Sequence, residues 1–149
     1  MVTVACHILR YNSEDLMEVK QKLLKVGFIL ALGLFILPVF SAADSAGDSL
    51  QILKDGNARF SSGEMQHPNS SIQRIKETAG GQKPFAAILT CADSRLSPEV
   101  IFDTGIGDIF VIRDAGNIAD PVITGSIEYA VGHLKVPLVV VMGHTRCGA

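Results

Sequence analysis

The chain has 149 residues, of which 48% are hydrophobic, and its formal net charge is −2. This length and apolar content suffice for one domain with a buried core, which excludes a disordered chain. Charged residues make up 19% of the sequence, and they form no basic patch of the kind that binds nucleic acid by counterion release. Nucleic acid is therefore not an expected partner.

The N-terminal part of the sequence has the pattern of an export leader. Three lysines between residues 20 and 25 precede an uncharged stretch over residues 26–43, which includes VGFILALGLFILPVF. Small residues at Ser41 and Ala43 match the cleavage site of a secretory signal peptide. We therefore predict a signal peptide that begins near Met17 and is cut after Ala43.

This pattern divides the chain into a leader, residues 1–43, and a domain, residues 44–149. Residues 1–16 precede the natural start of the signal peptide and are interpreted as a spurious extension. Cleavage would export the domain to the periplasm of a bacterium. The alternative is an uncleaved leader that anchors the domain at the periplasmic side of the membrane, because the uncharged stretch approaches the roughly 20 residues that span a bilayer.

Two helices are predicted at the start of the domain, over residues 48–60 and 72–78. In the first of them, Leu50, Leu53 and Phe60 are the expected apolar contacts. The polar segment SSGEMQHPNSS between the helices predicts a loop, and glycines at positions 80 and 81 end the second helix.

Three strands follow: PFAAILT is a continuous apolar run typical of a strand that is covered on both faces, DIFVIR is the next strand, and PLVVVMG is a third, buried strand. A serine, proline and glutamate at 97–99 predict a helix to about Thr104, and Asp120 with Pro121 starts another. Strands that alternate with helices predict an α/β fold with a parallel sheet.

Potential metal ligands follow two of these strands. Cys91 comes at the end of the first, and His144 and Cys147 come at the end of the third. A strand order of 2-1-3 makes these ends neighbours at the carboxyl edge of the sheet. Two thiolates and one imidazole suit Zn²⁺, and three ligands leave the open position of a catalytic site. The residues alone also allow a disulfide between Cys91 and Cys147, since an exported chain meets oxidising conditions.

The motif CADSR, followed by GHTRCG, resembles the β-class carbonic anhydrases, and the similarity continues through IGDIFVIRDAGNI and SIEYAVGHL over about residues 50–149. The resemblance implies an α/β parallel-sheet fold of the β-carbonic anhydrase type. It also implies one Zn²⁺ per chain on Cys91, His144 and Cys147. The implied activity is carbonate dehydratase: the reversible hydration of CO2 to bicarbonate and a proton through a zinc-bound hydroxide.

The resemblance further implies a catalytic dyad of Asp93 and Arg95. Asp93 would accept a hydrogen bond from the hydroxide, and Arg95 would hold Asp93 by a bidentate pair. If that pair breaks, Asp93 could become a fourth ligand in a closed, inactive site. Members of the family that bicarbonate inhibits have a tryptophan where this chain has Ile88. Arg113 matches a basic residue of their inhibitory pocket, but with Ile88 in place the sequence does not favour such switching.

The family's catalytic domain continues beyond GHTRCGA, so the sequence predicts a fold truncated after the third core strand, with little activity in isolation. Active sites of the family resemble clefts completed at a dimer interface, which implies a homodimer or higher homo-oligomer when full length.

Two alternatives stay open at this point. One is a related zinc-hydroxide lyase or hydrolase for a CO2-like molecule such as CS2, and the other is a non-catalytic exported domain with a disulfide from Cys91 to Cys147.

Overall fold

The computed structural model describes residues 45–149 and the backbone of the strand Val4–Leu9. The predicted signal peptide from Met17 to Ala43 lies outside the described residues. Within the described ranges, no helix has the length and apolar character needed to cross a membrane.

A four-stranded sheet forms the centre of the fold. Its strands are β1 (Val4–Leu9), β2 (Ala86–Cys91), β3 (Ile109–Asp114) and β4 (Val139–His144), and their order is β1-β4-β2-β3. β2 pairs in parallel with β3 on one side and with β4 on the other. The three predicted strands are β2, β3 and β4, and they form a parallel sheet in which the first of them lies between the other two. This is the predicted 2-1-3 order.

β1 is a strand that the sequence interpretation did not include, because residues 1–16 were assigned to an extension. It pairs with β4 in antiparallel register, from Val4 opposite His144 to Leu9 opposite Val139. The sheet is thus parallel over β4, β2 and β3, and antiparallel at the edge that β1 forms.

The helices are α1 (Ala46–Ser62), α2 (Ile72–Thr78), α3 (Pro98–Ile101) and α4 (Pro121–Glu128), with α4 continued by a π-helix over Tyr129–His133. Polar caps fix three helix starts: Ser45 and Asp48 form a capping box on α1, the Ser71 hydroxyl accepts a backbone N–H of α2, and the Asp120 carboxylate accepts two backbone N–H groups of α4. The third predicted helix was too long, since α3 ends at Ile101 and Asp103 turns the chain with a φ of 45°.

Apolar side chains cover both faces of the sheet, as the continuous apolar strands predicted. All six residues of β2 are buried. One face packs against α1 and the segment after β2, through a cluster that includes Leu53, Ile88, Leu96, Phe102, Val140 and Met142. The other face packs against the π-helix and the segment before β4, through Ala87, Ala130, Val136 and Val139.

The predicted apolar face of α1 is correct for two of its three residues. Leu53 is 2% exposed, and Leu50 packs against the same cluster. Phe60 is 39% exposed, so its predicted burial was wrong. It lies in the last turn of the helix.

Leu53→Ala should lower the free energy of unfolding by about 2–5 kcal/mol, because it removes buried methyl groups and leaves a cavity against Ile88 and its neighbours. Ile52→Ala is the matched control on the same helix, since Ile52 is 42% exposed, and it should cost less than about 0.5 kcal/mol. Urea unfolding of both variants checks the difference. Equal losses would mean that α1 does not dock through Leu53.

A buried carboxylate links α1 to the turn before β3. The side chain of Asp103 is fully buried and accepts a hydrogen bond from Arg59 Nε at 2.6 Å. It also accepts the backbone N–H of Gln66 at 3.0 Å and that of His67 at 2.9 Å. The Arg59 guanidinium and, after it, these backbone donors lower the pKa of Asp103 to about 2.

This depressed pKa predicts a loss of stability in acid. The ordinary pKa of the carboxyl is 3.8 and its folded value is about 2, so the charged contact stabilises the fold fully above pH 3.8. That contribution is lost as the pH falls through about 2. In urea unfolding at a series of pH values, Asp103→Asn should be less stable than wild type at neutral pH, and the difference should shrink as the pH falls across this window. A constant difference would contradict the assignment.

Candidate metal centre

The structure brings three potential ligands together at the carboxyl edge of the sheet. Cys91 is the last residue of β2 and His144 is the last residue of β4, while Cys147 lies three residues further on. Because β2 and β4 are parallel neighbours, both strands end at the same edge. One ligand atom from each of the three residues lies within 4.8 Å of the other two.

The two thiols are close but not bonded. Cys91 Sγ and Cys147 Sγ are 3.8 Å apart, and both cysteines are free. A disulfide requires a sulfur–sulfur distance of about 2.05 Å, so the structure gives no support to the disulfide alternative. Two sulfurs that each lie about 2.3 Å from one tetrahedral zinc would be separated by about 3.8 Å. The observed spacing therefore fits a shared metal ion.

The imidazole of His144 has one nitrogen in a hydrogen bond and one without a partner. Its side chain is 0% exposed, and Nδ1 lies 3.1 Å from the backbone oxygen of Thr145. When Nδ1 carries the proton and donates it there, Nε2 presents a lone pair. Nε2 is buried and has no hydrogen-bond partner among the residues that the structure describes, which is costly for a polar atom unless something else binds it. This is the arrangement of a metal-ligating histidine whose other nitrogen is fixed by the backbone.

Cys91 lies in an environment that favours its thiolate form. The residue is 3% exposed, and the backbone N–H of Gly116 donates to its Sγ at 3.3 Å. This bond is the main cause, and with the neighbouring Asp93 backbone and the nearby His144 imidazole it lowers the pKa of the Cys91 thiol to about 7 despite its burial. The thiolate is the form that binds a metal.

Asp93 and Arg95 form a bidentate pair next to these ligands. Arg95 Nε donates to Asp93 Oδ1 at 2.8 Å, and Arg95 Nη2 donates to Oδ2 at 2.7 Å. The backbone N–H of Arg95 adds a bond to Oδ1 at 3.0 Å. These contacts hold the pKa of Asp93 well below its usual range and raise the pKa of Arg95.

The carboxylate of Asp93 faces both its arginine and the ligand group. Asp93 Oδ2 is 3.7 Å from His144 Nε2, so it lies beside the three ligand atoms. Both of its oxygens are bound by Arg95, and the group of three converging ligands does not include it. The structure therefore has the paired dyad rather than the closed arrangement in which Asp93 would be a fourth ligand.

Two residues next to the site, Arg113 and Gly116, hold the segment of the first ligand, and the sequence did not predict this role. Arg113 Nη2 donates to the backbone oxygen of Asp93 at 3.0 Å, and Arg113 Nε donates to that of Cys91 at 3.3 Å. Gly116, with a φ of 79°, gives the N–H bond to the Cys91 sulfur. The motif RDAGN that contains both residues was the available signal.

The chemical type of the three ligand atoms indicates which metal ion the site can bind. Two sulfurs and one imidazole nitrogen are soft and borderline ligands, which select zinc over calcium or magnesium. The sulfur spacing and the unpartnered Nε2 agree with a single ion in contact with all three. The residues present therefore fit Zn²⁺.

Fold and site together define an α/β protein with a three-ligand candidate metal centre at the carboxyl edge of a parallel sheet. The sequence profile of the family described as "Carbonic anhydrase" matches residues 86–149. "Carbonic anhydrase 2" of Mycobacterium tuberculosis is 56% identical over 97 residues, which cover 65% of this chain and 47% of the relative. The "Carbonic anhydrase" of Mycolicibacterium smegmatis is 53% identical, with the same coverage of both chains.

Among solved structures, one of two tetrameric β-carbonic anhydrases from Sordaria macrospora is 37% identical, with a TM-score of 0.40, and the match covers 58% of this chain and 44% of that one. The resemblance recognised from the sequence motifs is confirmed at the level of the family: residues 86–149 match the carbonic anhydrase family, and the relatives of similar sequence are carbonic anhydrases. The chain spans about half the length of the curated relatives it matches.

Proposed function

We propose that the protein is a zinc-dependent carbonate dehydratase that interconverts CO2 and bicarbonate. The observation that carries this proposal is the convergence of two thiols and an unpartnered imidazole nitrogen next to an arginine-bound carboxylate. Cys91, His144 and Cys147 would hold the ion. A bound zinc ion lowers the pKa of a coordinated water and so supplies a nucleophile for the carbon of CO2 at moderate pH.

The residues around the ligands would order the reactants. Asp93 keeps its negative charge because Arg95 binds both of its oxygens, so it acts as a hydrogen-bond acceptor for the attacking water. Since the pair is bidentate, the carboxylate is held in one orientation, and the lone pair of the attacking oxygen is directed towards CO2. Arg95 also donates to the backbone oxygen of Arg146 at 3.3 Å, which ties the dyad to the loop that carries Cys147.

We also propose that the protein works as a homo-oligomer and outside the cytoplasmic membrane. The relatives from Sordaria macrospora are tetrameric, and this supports self-association.

Export to the periplasm is supported by the basic and apolar pattern that leads to Ala43. N-terminal sequencing of protein recovered from the periplasm tests export: a mature chain that starts at Asp44, and therefore lacks β1, supports cleavage, and an intact leader in the membrane fraction favours the anchor.

The activity is tested with the chain itself and with a chimera. In the chimera, the 97 aligned residues replace the corresponding segment of the Mycobacterium tuberculosis relative. Stopped-flow CO2 hydration should be abolished by metal removal and restored by one equivalent of zinc, strongly in the chimera and weakly in the chain alone. If the chimera binds zinc yet does not hydrate CO2 while the unaltered relative does, the proposal is wrong.

A further inference from the structure

Arg113 makes two hydrogen bonds to the segment that links the first metal ligand to the dyad. It is the fifth residue of β3, and its guanidinium donates from Nε to the oxygen of Cys91 and from Nη2 to the oxygen of Asp93. The two carbonyls belong to alternate residues of one short segment and are 22 and 20 positions from Arg113 in sequence. One side chain therefore contacts the backbone at both a ligand and the catalytic carboxylate.

The shape of the guanidinium gives this contact its effect. Nε and Nη2 are held in one plane at a fixed separation, so a pair of acceptors bound to both must keep a fixed distance and direction. A lysine ammonium is a single point charge on a flexible stem and cannot impose that geometry. Arg113 thus fixes the backbone at Cys91 relative to Asp93, and with it the directions in which their side chains leave the chain.

Further contacts from the end of β3 and its turn act on the same segment. The N–H of Ala92 donates to the oxygen of Asp114 at 2.8 Å, and the N–H of Gly116 donates to the sulfur of Cys91 at 3.3 Å. Carbonyl, amide and thiol groups of residues 91–93 are therefore all held by residues 113–116. This is the support that a ligand on a short loop needs to keep its sulfur in place.

We infer that Arg113 is a positioning residue of the metal centre, which holds Cys91 and Asp93 in register through their backbone carbonyls. The inference rests on the proposed zinc function, since the segment needs such precision only when a metal binds there. This role differs from anion binding, because two backbone carbonyls already accept the hydrogen bonds of the Arg113 guanidinium.

Three variants of the 149-residue chain test this role. Arg113→Lys keeps the positive charge but loses the planar pair of N–H donors, and Arg113→Met loses both the charge and the donors. Arg146→Met is the matched control, because it removes an arginine charge beside Cys147 while leaving the backbone carbonyl that binds Arg95. Zinc affinity is measured by chelator competition, and the ligand geometry is measured from the visible absorption of the Co²⁺-substituted protein. Neither readout depends on CO2 hydration.

Both Arg113 variants should bind zinc about 10- to 100-fold more weakly than wild type, the usual cost of losing a residue that orients a ligand. Their thiolate-to-cobalt absorption bands should also shift. Arg146→Met should change neither. Wild-type affinity and spectrum in Arg113→Lys would overturn the inference, since charge alone would then suffice. An equal loss in all three variants would overturn it too, since the loss would then not be specific to the hydrogen bonds of Arg113.

Zinc binding by the wild-type chain separates a failure of the positioning role from a failure of the proposed zinc function. If the wild-type chain binds zinc and Arg113→Lys does not differ from it, the positioning role fails and the zinc function stands. If wild type binds no zinc, the proposed function fails first. Because Arg113 is exposed, circular dichroism should show folded protein for the lysine variant, which decides the question even if the methionine variant unfolds.

Discussion

Asp93→Asn is expected to keep a full equivalent of zinc and to lose CO2 hydration by about 100- to 10,000-fold, the range for removal of a group that positions or transfers a proton. The side chain keeps its size but loses its charge, and its nitrogen cannot accept a hydrogen bond. Arg95 then faces an amide instead of the carboxylate whose two oxygens it binds at 2.8 and 2.7 Å. The measurement is stopped-flow hydration in the chimera, with zinc content determined on the same samples.

The matched control for this prediction is Glu99→Gln. Glu99 is an exposed acid close to Asp93 in sequence, at the first turn of α3, and it does not contact the three ligands. The same loss of one negative charge should leave hydration at the wild-type rate. Undiminished hydration in Asp93→Asn, or an equal loss in both variants, would remove Asp93 from its proposed role.

Cys147→Ser should weaken zinc binding by at least about 100-fold, because it removes a direct ligand, and supporting residues alone already contribute 10- to 100-fold. Cys147 is exposed, so the substitution should leave the fold intact. Cys91 is less suitable for this test, since it is buried in the core cluster and its replacement would also disturb packing. Chelator competition measures the affinity, and thermal unfolding of the metal-free proteins confirms equal stability.

The third cysteine provides the control for a general effect of thiol loss. In the uncleaved 149-residue chain, Cys6→Ser should retain one equivalent of zinc with wild-type affinity, because Cys6 is not part of the motif pair that resembles the family. If Cys147→Ser binds zinc as tightly as wild type, Cys147 is not a ligand. If Cys6→Ser loses zinc to the same extent, the assignment of the three ligands is wrong.

The central sheet was predictable because its signal is local. β2, β3 and β4 are continuous apolar runs, and parallel strands separated by helices bring Cys91 and His144 to one edge through the strand order alone. The family resemblance then pointed to Asp93 and Arg95, which are two residues apart in sequence and pair in the structure. These features depend on contacts that short motifs determine.

The supporting contacts were harder to predict because they join distant positions. The bond from Arg59 to Asp103 spans 44 residues, and that from Arg113 to Asp93 spans 20. Nothing in either local sequence indicates which acceptor the guanidinium will bind. β1 was missed for a different reason, since residues 1–16 were judged by the leader that follows them rather than by their own pairing with β4.

The helix ends show the same limit. Asp120 with Pro121 correctly marked the start of α4, since a cap is a local interaction. The end of α3 depends on Asp103, whose left-handed backbone and buried carboxylate are set by Arg59 and the backbone of the 64–70 loop. A sequence pattern could not include that loop, so the predicted helix extended to Thr104.

The most direct test of the central claim is zinc-edge X-ray absorption on the wild-type chain loaded with one equivalent of the metal. Coordination by Cys91, Cys147 and His144 predicts two sulfurs at about 2.3 Å, one imidazole nitrogen at about 2.0–2.1 Å and one further light atom. A first shell of nitrogen and oxygen without sulfur, or a single sulfur, would contradict the account.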